Sequence, residues 1–193
     1  MPSRLRRHDE AGHTHFWTVS CQDRLTFFWH DEMKQVAVNA LRCLQGGFGV
    51  CLVAYVIMPE HMHVVLYPHA RGDDQPVPIS RLWHAFKQHV GFYGKQRLRD
   101  LWREHRRLWS EPLNNWANRT GERQQIMETR GYDFNVDRHD ALLRKIDYCH
   151  KNPVTRGLVA GADDWPWSSF RFYEMGDRSV LTMDWDGQWP IVW

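Results

Sequence analysis

Two histidines one residue apart sit in the apolar run AYVIMPEHMHVVLYP, residues 54–68. In an extended chain successive side chains alternate faces, so His61 and His63 point one way and Met62 the other. Neutral imidazole is a common transition-metal ligand, and two so spaced can grip one ion. The plainer reading is a pair of half-exposed strand histidines. Further on, KIDYCHKNPV, residues 145–154, puts Tyr148 and Asn152 four apart, on one helical face a turn from each other, with His150 pointing elsewhere. Taken singly, Asn152 before Pro153 reads as a helix terminator and Tyr148 as a core tyrosine. With the histidines they form a set in which two imidazoles and an amide oxygen offer a divalent ion three ligands and leave room for a phosphate oxygen. A phenol one turn from such a ligand is placed to attack phosphorus, given a cation or base that favours its phenolate.

The elements that must position these residues can be read from periodicity. Residues 15–21, HFWTVSC, form a strand of β-branched and aromatic residues. From Asp31 to about Gln45 apolar residues recur at helical spacing, and Gly46-Gly47 ends the pattern. Residues 50–58 and 61–67 are two strands joined by a tight turn at Met58-Pro59-Glu60. A second helix is predicted from about Ile79 to Tyr93, extending towards Arg107, and residues 110–125 read as a polar loop or insertion. A third helix over 140–152 ends where Pro153 disfavours helix at the residue before it. This order predicts an α+β fold: a ferredoxin-like antiparallel sheet with helices on one face, plus a C-terminal tail.

The chain is 193 residues long, enough for one domain with a full core. No secretory leader follows the basic residues at the start, and the uncharged stretch ending at Pro59 carries three glycines and is too short to span a bilayer. Cys21, Cys43, Cys51 and Cys149 make no C-x-x-C pair and read as free thiols of a cytoplasmic protein. The net charge of +2 is unevenly spread: residues 81–123 hold ten Lys and Arg against four acids, and residues 161–193 hold two Arg against six acids. A basic middle suggests a polyanionic partner. Trp83, Phe86, Phe92, Tyr93, Trp102, Trp109 and Trp116 sit among these charges, the mixture that binds single-stranded nucleic acid. Arg81, Lys87, Lys95, Arg97 and Arg99 are the candidate phosphate contacts.

In pieces, the chain resembles the REP-associated tyrosine transposases, within the HUH superfamily of single-tyrosine transposases. The pieces are GHTHFWTVSC from Gly12, AYVIMPEHMHVVLYP from Ala54, YDFNV from Tyr132, IDYCHKNPVTRGLV from Ile146 and DDWPWSSFRFY from Asp163. The resemblance implies that His61, His63 and Asn152 hold Mg2+ or Mn2+ and that Tyr148 is the nucleophile, forming a 5′-phosphotyrosine intermediate. It also implies a substrate of single-stranded DNA hairpins, REP-like palindromes, and an enzyme that acts as monomer or homodimer. The expected organisation is a catalytic domain over 1–160, with an insertion near 102–125, and a Trp-rich acidic tail over 161–193 that packs on or near it. The chain departs from the family pattern at Ile126-Met127-Glu128, where relatives usually read Phe-Trp-Gln.

Three other readings compete. One is a catalytically idle hairpin-binding protein on the same fold, against which the intact His-His-Tyr-Asn set argues. A zinc hydrolase using His13, His15, His61 and His63 lacks a general base of clear spacing, because Glu60 would face away from His61 on a strand that reached it. An RNA-binding sheet lacks the aromatic strand signature.

Overall fold

A near-uniform apolar run makes a strand that is buried on both faces, and residues 50–57 and 61–68 are such runs. In the computed structural model, which describes residues 13–69, 75–105, 109–119 and 124–189, they form β2 (Val50–Ile57) and β3 (His61–Pro68). With β1 (Thr14–Ser20) and β4 (Tyr132–Val136) they build one antiparallel sheet in the order β2-β3-β1-β4. The elements follow one another as β1, α1 (Asp31–Phe48), β2, β3, α2 (Ile79–His105), α3 (Glu111–Ala117), β4, α4 (His139–Thr155) and α5 (Phe170–Met175). The first part of that order is the ferredoxin-like arrangement predicted.

The sheet has two covered faces. Trp17, Val19, Met62, Val64 and Leu66 pack with residues of α1 and α2, as the ferredoxin-like reading expects. Phe16, Val53, Val56 and Val65 pack on the other side with Leu142, Ile146 and Cys149 of α4. The second layer follows from β2 and β3, whose apolar residues on both faces must leave water. His61 and His63 share the face of Val65, so α4 is the helix that lies over them.

Several boundaries differ from the sequence reading. Helix α1 runs through Gly46-Gly47 to Phe48 and stops at Gly49, whose φ of 65° supplies the left-handed cap. Residues 110–125 are not a plain loop: α3 forms there, burying Leu113 and Trp116, with Trp116 against Phe27 at 4.8 Å. Pro153 does not end α4, which continues to Thr155; so near the end of a helix a proline forfeits few backbone bonds. β4 is a strand the periodicity reading did not assign, though Tyr132, Phe134 and Val136 alternate along it. Its approach is tight at Gly131, where a Cβ would come within 2.0 Å of Trp83 ring carbons and 2.7 Å of the Thr18 carbonyl oxygen.

The tail closes the open edge of β2. Ile57 N–H donates to the Trp167 carbonyl, Ser169 N–H to that of Tyr55, and Asp184 N–H to that of Leu52, while Leu52 N–H donates to Asp184 Oδ2. An edge strand left bare would invite pairing with another chain. Trp165 and Trp167 also flank the Lys34 ammonium, at 5.2 and 5.4 Å. No helix among the described residues is long and apolar enough to cross a membrane.

Candidate active site

His61 and His63 meet Tyr148 and Asn152 where α4 crosses β3, in a pocket of about 650 Å³. Thr18, Arg24, Arg144 and Arg156 complete much of its wall. His63 is 4% exposed and Asn152 5%, whereas Tyr148 is 49% exposed, its ring 5.0 Å from that of His63 and edge-on to it. The i, i+4 spacing thus gives a buried amide and an open phenol on one face of α4.

Each imidazole is anchored through Nδ1. His61 Nδ1 lies 3.1 Å from Glu60 Oε1, and His63 Nδ1 lies 2.9 Å from Thr18 Oγ1. An ionised carboxylate only accepts, so His61 Nδ1–H is the donor and the lone pair of neutral His61 sits on Nε2. Burial is the largest influence on both rings; it holds His63 down at about 3 and His61 below the ordinary histidine value, against the pull of Glu60. Both are therefore neutral near pH 7 and keep an electron pair to give.

Two buried polar atoms in this pocket have no hydrogen-bond partner: His63 Nε2 and Asn152 Oδ1. A buried polar atom left unpaired is costly, and each such case calls for a reason. An imidazole nitrogen and an amide oxygen, both facing a pocket that Tyr148 opens to solvent, suit a divalent cation. No cluster of three or more His, Cys, Asp or Glu side chains able to hold an ion occurs among the described residues. Any cation site here depends on the Asn152 amide.

Glu60 sits in the turn where the sequence reading put it, but its contact with His61 was not foreseen. β3 begins at His61, so Glu60 belongs to the preceding turn and bends back onto its neighbour instead of alternating away. It also accepts from Arg24 at 3.1 Å and from Arg156 at 3.0 Å. Burial works to raise its carboxyl, but His61 and Arg24 leave it below the usual range. Arg24 reaches the pocket from a turn in which both it and Asp23 have positive φ, 55° and 54°. Glu128 and Arg119 hold that turn: Asp23 N–H donates to Glu128 Oε1 at 2.8 Å, and Arg119 pairs with Asp23 at 2.9 Å. Backbone strain of this kind persists only where neighbours over-determine it. The departure at Ile126-Met127-Glu128 thus lies outside the pocket but supports one of its walls.

None of the five cations chosen from the sequence lines this pocket. Arg81 lies over Phe48 at 5.9 Å, and Lys87 donates to the carbonyls of Glu128 and Thr129. Arg99 donates to Gln124 Oε1 at 3.1 Å, while Lys95 and Arg97 line two separate surface hollows. Most of the interleaved aromatics are also unavailable: Trp83, Phe86, Trp109 and Trp116 are buried in the core, and Phe92 and Tyr93 are exposed. The amphipathic period of α2 turns Trp83 and Phe86 inward, where they hold the fold together, and leaves Phe92 and Tyr93 on its outer face. The cations that do line the pocket are Arg24, Arg144, Lys151 and Arg156.

His15 takes the opposite face of the sheet, in register with Leu66, with its Nδ1 3.0 Å from Asp133 Oδ1. His13 Nδ1 lies 3.3 Å from Asn135 Nδ2. The four-histidine zinc arrangement is therefore not formed. His150 points away as its spacing predicted, its Nε2 3.0 Å from Ser169 Oγ.

No family model matches the chain. Over 185 residues, 96% of this chain and 92% of the relative, it is 27% identical to the REP-associated tyrosine transposase of Escherichia coli (strain K12). A relative from Haemophilus influenzae, assigned provisionally to the same group by its name, is 25% identical over 186 residues, 96% of this chain and 94% of the relative. A solved structure of a REP-associated tyrosine transposase bound to a REP hairpin matches with a TM-score of 0.62 at 22% identity, over 96% of this chain and 92% of that one. That likeness shows the fold. The resemblance read from the motifs is borne out, since similarity to these transposases runs along nearly the whole chain.

Proposed function

We propose that this chain is an endonuclease and strand transferase for single-stranded DNA bearing REP-like hairpins. In this reading Tyr148 is the nucleophile, and His61, His63 and Asn152 hold Mg2+ or Mn2+. The observation that carries it is the meeting of an open phenol with two unpartnered, buried ligand atoms, His63 Nε2 and Asn152 Oδ1, in one cation-lined pocket. The names of the relatives and the hairpin bound to the structural neighbour support the substrate class.

The Tyr148 oxygen attacks the scissile phosphorus, forming a P–O bond to the ring as the bond to the 3′ oxygen breaks. The phenol proton passes to solvent, and the departing 3′ oxygen takes one up. The product is a 5′-phosphotyrosine and a free 3′-OH. Attack by a 3′-OH on that phosphotyrosine reverses the step and joins strands, so one phosphodiester is exchanged for another without a nucleotide cofactor. A bound divalent ion would polarise the phosphoryl oxygen and offset the negative charge that develops there. Glu60 keeps His61 oriented, Thr18 does the same for His63, and the arginines of the wall favour the approach of a polyanion.

The test is Tyr148→Phe, with hairpin DNA labelled on the 3′ side of the cut and run on denaturing gels. The ring still packs beside His63, so hairpin binding should survive while cleavage and the covalent adduct disappear. An adduct that persists in the variant would assign the nucleophile to another residue.

A further inference from the structure

On the same sheet face as His61 and His63, the outermost strand carries two aromatic rings that the core does not use. Tyr132 is 39% exposed and Phe134 41%, with ring centroids 6.4 Å apart and planes within 9° of parallel. The register ties them to the pocket. Tyr132 lies opposite Thr18, which lies opposite His63, and Phe134 lies opposite Phe16. With strands spaced about 4.8 Å apart, the rings stand two strands out, about 10 Å from the histidines. Phe16 bridges the gap: it stacks on His63 at 5.3 Å and 13° and meets Tyr148 edge-on at 6.0 Å.

A cation stands beside this row. Lys145 is one helical turn before Tyr148, and its ammonium lies 4.3 Å from the Phe16 ring centroid and 5.2 Å from that of Phe134. Arg24, Arg144, Lys151 and Arg156 each pair with a carboxylate. Lys145 forms no ion pair among the described residues, so its charge is available to an incoming anion. Exposed rings with an ammonium beside one of them that no carboxylate neutralises suit unpaired bases on a phosphate backbone: the bases stack on the rings and the phosphate meets the cation.

We propose that Phe134 and Tyr132 form a base-stacking shelf, with Lys145 as its phosphate contact, for the single-stranded nucleotides that flank the bond cut at Tyr148. This rests on the reading of the pocket as a DNA-cleaving site and adds where the strand runs outside it. Stacking on a π face is tolerant of base identity, so the shelf holds and aligns the strand without reading its sequence.

Binding is measured with the full chain carrying Tyr148→Phe, so that no turnover intervenes, on a DNA hairpin with a short unpaired extension. Adding Phe134→Ala should weaken binding about ten-fold, as loss of one base–aromatic stack does. On the same hairpin with the extension made abasic, the parent should already bind as weakly, and Phe134→Ala should cost nothing further. Phe134→Leu fills the same space without a π face and should behave as Phe134→Ala, whereas Phe134→Trp should restore binding. Equal affinity of parent and Phe134→Leu for the extended probe would overturn the shelf. So would a change in sedimenting mass without a change in DNA affinity, which would mark the edge as a contact between copies of the chain. Failure of the nucleophile reading shows separately, as an adduct that survives Tyr148→Phe.

Discussion

Glu60 Oε1 and His61 Nδ1 lie 3.1 Å apart, and this contact decides which nitrogen of His61 can serve as a ligand. Because the carboxylate only accepts, it commits the ring proton to Nδ1 and frees Nε2. The same carboxylate gathers Arg24 and Arg156, so one side chain orients an imidazole and anchors two walls of the pocket.

Glu60→Gln should therefore weaken divalent-ion binding. The amide can present its NH2 to Nδ1 as readily as its oxygen, and the tautomer is no longer enforced. Loss of such a supporting partner costs about 10–100-fold in metal affinity. Calorimetric titration of Mn2+ into the parent and Glu60→Gln measures it, and equal dissociation constants would remove Glu60 from the orienting role.

Mn2+ should raise the melting temperature of the parent chain. A ligand that binds only the folded state stabilises it by about 2.7 kcal/mol at a hundred times its dissociation constant. The motive is the unpartnered pair, His63 Nε2 and Asn152 Oδ1. His63→Ala should lose the metal-dependent increment, whatever its own melting point without metal. An increment of the same size in that variant would place the ion elsewhere.

Gly131→Ala should destabilise the fold by about 1–3 kcal/mol, the usual cost of forcing a methyl group into filled space. The new Cβ would fall within 2.0 Å of Trp83 ring carbons and 2.7 Å from the Thr18 carbonyl oxygen, so the chain entering β4 must move. Urea denaturation gives the midpoint and slope, and an unchanged midpoint would show that Trp83 yields without cost.

The local geometry of the pocket was legible in the sequence because it depends on short-range periods. The two-residue repeat of a strand puts His61 and His63 on one face, and the four-residue repeat of a helix does so for Tyr148 and Asn152. Apolar runs also gave the strands around Tyr55 and Val64, though not β4, whose five residues carry a weak alternation. The surroundings were not legible. Which cations line the pocket depends on contacts such as Arg156 to Glu60, 96 residues apart, and no period reports these. Basic residues and aromatics mixed along α2 look alike in sequence whether they face a polyanion or the core; packing against α1 and the sheet turned Trp83 and Phe86 inward. Glu60 was legible as a turn residue, but its bond to His61 was not, because alternation applies only inside a strand and does not report where a turn side chain points. Sequence by itself determined which side chains share a face, since backbone geometry is local. Tertiary packing decided what that face meets, since burial of apolar surface is a property of the whole chain.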